Sequence, residues 1–100
     1  KMKKWNDIIL KYYPNETITG FSAISMASGV AVVKALQDAG RDLTRSKLIA
    51  ALENIRGLTT NILACDITWT PTERHGCKTS AVAGFIDGQP TVLSAWDKPW

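Results

Sequence analysis

Apolar residues recur at three-to-four spacing through the first half of the chain and at two-residue spacing through much of the second. Trp5, Ile8, Ile9 and Tyr12 predict a short amphipathic helix over residues 3–13. Pro14 ends it, because the residue before a proline is pushed out of the helical region. Residues 15–20 then form a connector, in which Asn15 and Gly20 are breakers and Thr17, Ile18 and Thr19 favour extended backbone. The longest periodic stretch covers residues 21–39. Ile24, Ala27, Ala31 and Ala35 mark one stripe and Met26, Val30 and Val33 the next, so this helix is apolar on most sides. No charge occurs from Thr17 to Val33. A membrane span would need such a run, but Thr17, Thr19, Ser22, Ser25, Ser28, Gly20 and Gly29 interrupt it, and burial inside a globular protein is the expectation. The core this requires is larger than the chain itself supplies.

Gly40 is placed to cap that helix, and Asp42, Leu43 and Thr44 supply a staple and an N-cap for a third helix over residues 45–56. Leu48, Ile49, Leu52 and Ile55 form its apolar face, and Gly57 ends it. The period then changes. Cys65, Ile67 and Trp69 alternate with Asp66, Thr68 and Thr70, the spacing of a half-buried strand, and a second strand is expected over residues 79–86. Asp87-Gly88 is a hairpin signal that returns the chain through Thr91, Val92 and Leu93. The expected class is α+β, three helices followed by a small antiparallel sheet, in a single structural unit over residues 1–100.

Composition narrows what such a chain does. With 45% hydrophobic and 21% charged residues, 7 Gly and 4 Pro, it has the make-up of a folding chain. Three of its lysines, Lys1, Lys3 and Lys4, crowd one end, and the net charge of +3 comes with no basic helix face, so no nucleic-acid partner is expected. Lys1 to Asp7 runs straight into an amphipathic pattern, with no apolar signal segment. Of the four tryptophans, Trp5, Trp69, Trp96 and Trp100, each is expected to pack rather than to stack on a ligand.

The one histidine, His75, lies two positions from Cys77 in a turn-like segment. A closed zinc site needs about four ligands, and no second CxxC or His supplies them, so no metal or other cofactor is expected. A thiol enzyme using Cys77 as nucleophile and His75 as base is an alternative, but no oxyanion-hole sequence, phosphate loop or paired carboxylate accompanies the pair. No catalytic site is expected. Two cysteines, Cys65 and Cys77, are compatible with a disulfide or with two buried thiols. A hairpin turning near Arg74 sets Cys65 across from Ala83 and Cys77 across from Pro71, some six residues and roughly 20 Å apart, against the ~6 Å between α-carbons that a disulfide allows. Pairing within one chain is therefore not expected.

Gly20-Phe21-Ser22-Ala23 opens the long helix. Ala35-Leu36-Gln37-Asp38-Ala39-Gly40-Arg41-Asp42-Leu43-Thr44-Arg45 closes it, and Lys47-Leu48-Ile49-Ala50-Ala51-Leu52-Glu53-Asn54 follows. Further on stand Ile67-Thr68-Trp69-Thr70-Pro71-Thr72-Glu73-Arg74-His75-Gly76 and Phe85-Ile86-Asp87-Gly88. In this order and spacing, from about Trp5 to Trp96, the chain resembles the carboxy-terminal part of type I periplasmic binding proteins. More narrowly, it is similar to the branched-chain amino acid (leucine/isoleucine/valine-binding) family of ABC transporters. The resemblance implies a parent of two α/β lobes, with an amino acid or related small solute bound in the cleft between them and delivered to a membrane permease. It further implies a periplasmic or extracellular location. Family members usually carry Tyr where Phe21 stands, and many carry Glu at the position of Ser46. Of this chain, the uncharged connector is the part expected to reach the cleft, with Thr17, Thr19 and Phe21 as ligand-binding candidates. An alternative is a stand-alone α+β interaction module without a cleft. By itself the chain is expected to bind no solute and to self-associate, because two short helices and a small sheet cover only part of the long helix.

Overall fold

A computed structural model describes residues 2–94. Three helices, α1 (Lys3–Tyr12), α2 (Gly20–Ala39) and α3 (Arg45–Glu53), are followed by a two-stranded antiparallel hairpin of β1 (Ala83–Ile86) and β2 (Gln89–Val92). The class is α+β, in the expected order. Trp96 and Trp100, whose packing was also expected, lie outside the described residues.

Local chemistry accounts for most of the helix boundaries. α1 buries Ile9, carries a Lys3–Asp7 ion pair of 2.7 Å one turn apart, and stops where the N–H of Tyr13 donates to the Ile9 carbonyl ahead of Pro14. α2 opens on a capping box. Thr19 Oγ1 accepts from the Ser22 N–H while Ser22 Oγ accepts from the Thr19 N–H, so two amides without helical partners are satisfied by neighbouring hydroxyls. Gly40 closes it at φ 77°, a left-handed conformation that a side chain would strain. Thr44 Oγ1 then accepts from the Lys47 N–H at 3.2 Å and starts α3.

α3 ends at Glu53, three residues short of the expectation. Tertiary contacts claim the last turn. Ile55 turns inward to become buried, its carbonyl accepts from the Trp69 N–H at 3.0 Å, and the Arg56 guanidinium donates to the carbonyls of Glu53, Ile55 and Trp69. These bonds replace the helical ones that residues 54–56 give up.

The core is small. Ala31 and Ala35 of α2, both 0% exposed, meet Ile55 and Ile67, with Leu48, Leu52, Leu58, Leu63 and Trp69 packed around them. Alanines at this spacing let α3 and the following loop approach α2 closely. Only this stripe of α2, continued by Ala27, is buried, whereas Phe21, Ile24, Val32, Val33 and Leu36 are exposed. The sequence predicted a helix buried on most sides; within this chain it is covered on one.

The expected strand over residues 65–70 does not form as a ladder. Ile67 makes a single antiparallel bridge with Leu58, through N–H···O bonds of 2.9 and 3.0 Å, and the rest of the segment is irregular. The expected strand over residues 79–86 is shortened to β1, which pairs with β2 around Asp87-Gly88. Both turn residues have positive φ, 50° and 74°, the requirement of the tight hairpin turn whose twist matches its strands.

Candidate functional site

Residues 65–79 bring Asp66, Thr68, Thr70, Glu73, His75 and Lys78 to one cleft. Their path is set by a turn at Thr70-Pro71-Thr72-Glu73, where the Thr70 N–H donates to the Glu73 carbonyl at 2.8 Å and the Glu73 N–H returns to Thr70. Proline at the second position presets its φ for such a turn, and Thr70 Oγ1 also accepts from the Glu73 N–H. The turn lies about two residues before the Arg74-centred one expected. That shift brings the arms together differently: the Thr68 N–H donates to the Gly76 carbonyl, and Cys65 arrives beside Cys77.

The two cysteines form a disulfide with α-carbons 5.8 Å apart. This overturns the expectation that they do not pair: the turn at Thr70–Glu73 gives the two arms a different register from the Arg74-centred one. It also changes the position of the thiol-enzyme alternative, since the Cys77 sulfur is bonded to Cys65 and holds no thiolate in the oxidised chain.

Between the arms is a cleft of about 600 Å³ lined by Asp66, Thr68, Thr70, Glu73, His75 and Lys78, among others. Its charges are already engaged. Glu73 binds the Lys78 ammonium at 2.7 Å and accepts from the His75 N–H at 2.9 Å, and these two contacts, Lys78 first, hold its carboxyl below the usual range. Asp66 accepts from the Thr59 hydroxyl at 2.7 Å. Among the described residues, no group of three or more His, Cys, Asp or Glu side chains is placed to hold a metal ion.

A second concavity, of about 430 Å³, lies between α2, α3 and the turn. Val32, Ile49, Leu52 and Trp69 make it apolar, and the Glu53–Arg74 ion pair stands among its lining residues. Trp69 is held from behind by Gly76, where a Cβ would come within 2.8 Å of its Nε1. Sequence reasoning missed this groove because its parts come from three separate stretches, around Val32, Ile49 and Trp69; Pro71 was the one local signal for the nearby turn.

The predicted site residues lie elsewhere. Thr17 and Thr19 are exposed on the connector, and the Thr19 hydroxyl is occupied as the cap of α2. Phe21, in the first turn of α2, is 83% exposed. The three share one end of α2, away from His75 and Cys77 in sequence, and the connector is an open segment in which Ile18 alone is half-buried. Compared with known proteins, the chain matches no family model, no curated sequence and no solved structure.

Proposed function

We propose that this chain is the carboxy-terminal segment of the solute-binding component of an ABC importer. In that reading, an amino acid or related small solute binds between two lobes, and the closed form is presented to a membrane permease. Closure follows from contacts the ligand makes only in the closed state. The observation that carries the reading is the unfinished cover of α2, a 20-residue helix with mostly small and apolar side chains of which only Ala27, Ala31 and Ala35 are buried. A helix of this composition belongs inside a larger body than 93 described residues provide. The resemblance in element order and spacing names that body. The disulfide supports a periplasmic or extracellular location, because such bonds persist in oxidising compartments.

Phe21 is the residue of this chain assigned to the ligand, with Thr17 and Thr19 on the connector before it and Thr19 capping the helix entry. An exposed aromatic ring in the first turn of a buried-type helix has little to do for the stability of this chain, and it is available to close over a solute. The test is calorimetric titration of the two-lobed protein with branched-chain and other amino acids, with and without Phe21→Ala. One solute of this class binds, and Phe21→Ala weakens it by more than it lowers the melting temperature. Absence of heat across the whole panel sinks the reading, and unchanged affinity in Phe21→Ala removes the assignment of that residue.

A further inference from the structure

The hairpin and the groove beside α2 are two unpartnered apolar surfaces of opposite shape on one chain. Alternation along β1 and β2 places Ala83, Phe85, Pro90 and Val92 on one face, since Ala83 pairs with Val92 and Phe85 with Pro90. All four are exposed, Phe85 by 80%. The groove of Val32, Ile49, Leu52 and Trp69 is a hollow of about 430 Å³. We propose that the chain, by itself, pairs with a second copy through reciprocal docking, in which the hairpin face of each copy seats over the Val32–Trp69 groove of the other.

Three observations favour a second copy as the occupant. The first is area. The chain exposes 7580 Å², whereas a compact monomer of 11.0 kDa exposes about 5,600 Å². The surplus, about 2,000 Å² per chain, exceeds the roughly 800 Å² per partner of a standard stable interface. Its shape agrees, because extents of 54 × 38 × 16 Å describe a slab lacking the second layer that normally closes a core. The second is charge. Copies that each carry +3 repel, so a contact between them must be free of unpaired charge. Residues 79–94 contain only Asp87, at the tip of the turn, and the two charges lining the groove, Glu53 and Arg74, pair with each other. The third is complementarity. The hairpin offers a projecting aromatic knob and the groove an apolar hollow, and a sheet face over helices is a standard layer arrangement. When both surfaces are on one chain, a two-fold axis uses each twice and closes the assembly. This proposal concerns the 100-residue chain alone and does not depend on the transport reading.

Sedimentation of the oxidised chain across the micromolar range tests it, beside two variants. Phe85→Asp spoils the knob and Val32→Glu spoils the groove; each is checked for unchanged helical circular dichroism. The wild-type chain sediments as a dimer, and each variant raises the dimer dissociation constant by about 30-fold or more, the effect of losing a central apolar anchor. Mixing the two variants restores partial association, because one intact knob then meets one intact groove, an outcome that unspecific sticking does not produce. If Val32→Glu unfolds, Phe85→Asp alone carries the test. A wild-type chain that stays monomeric overturns the proposal, as do variants that associate as tightly as wild type. Association of a monomer with neutral phosphatidylcholine vesicles overturns it as well, since a bilayer would then be what covers α2.

Discussion

The packed region around α2 and α3 and the β1–β2 hairpin are held in different ways. In the first, Ala31, Ala35, Ile55 and Ile67 come from three places in the sequence and exclude water from one another, so their burial depends on tertiary structure. In the second, the strands pack on each other, and large side chains such as Phe85, Ile86, Val92 and Leu93 are exposed. A hairpin of two four-residue strands follows from its turn and is marginal alone in water. Strong local signals thus form an element without securing it, whereas the segment with the weaker local signal, residues 55–69, is the better anchored.

That contrast predicts graded effects. The largest is Ile67→Ala, which removes a fully packed side chain at the one bridge between residue 67 and Leu58; loss of about 2–5 kcal/mol is expected in urea denaturation. A loss under about 1 kcal/mol would mean that the core does not organise this half of the chain. Next comes the double substitution Cys65→Ser and Cys77→Ser. Closing a loop between cysteines 12 residues apart contributes about 3 kcal/mol in the chain-entropy account. The midpoint falls accordingly, and an unchanged midpoint would assign the register to the Pro71 turn alone.

Thr44→Ala is smaller. It removes the oxygen that accepts from the Lys47 N–H and is expected to cost about 1 kcal/mol, recovered in part by Thr44→Ser. In the hairpin, Ile86→Ser changes the melting temperature of the packed region little, since Ile86 is exposed and lies on the face away from Phe85. Amide exchange is the sharper reading there: β1 and β2 amides exchange faster than those of Ala31 and Ala35, and equal protection would erase the distinction between the two regions.

The smallest effect is one of pH. The Glu73 carboxyl is held below its ordinary value by Lys78 and the His75 N–H, so its contribution is fully present above the unfolded-state pKa and is lost as the pH falls through the lower folded-state value. Glu73→Gln should therefore lower stability slightly at neutral pH, where the contribution is present, and the difference from wild type should vanish as the pH falls below the folded-state value. A change confined to alkaline pH would contradict the Lys78 contact as its cause.

Short-range signals account for the elements themselves. Pro14 after Tyr13, Gly40 at positive φ, Thr44 before α3 and the Asp87-Gly88 turn act within a few residues, through sterics and single hydrogen bonds, and each stands where the sequence placed it. The Thr19–Ser22 capping box was legible in the same way, although Thr19 enters the sequence reading as an extended connector residue and a ligand candidate, not as a cap. The candidate site was legible only in part, since Thr17, Thr19 and Phe21 are gathered by their place in the sequence, whereas the groove of Val32, Ile49, Leu52 and Trp69 is not.

Three helices, the Gly40 and Thr44 caps and one hairpin turn are legible from the residues alone, because they depend on neighbours in the chain. The remainder depends on contacts between distant segments. The choice between a turn at Thr70–Glu73 and one centred near Arg74 moves Cys65 from beside Ala83 to beside Cys77, and alternation alone does not rank the two registers. They are separated by long-range contacts: the Trp69 N–H on the Ile55 carbonyl, Thr68 Oγ1 accepting from Gly57, and the Trp69 indole against Gly76. The same contacts end α3 early and leave one flank of α2 open, since burial depends on which distant segment arrives, and periodicity records only which faces are apolar.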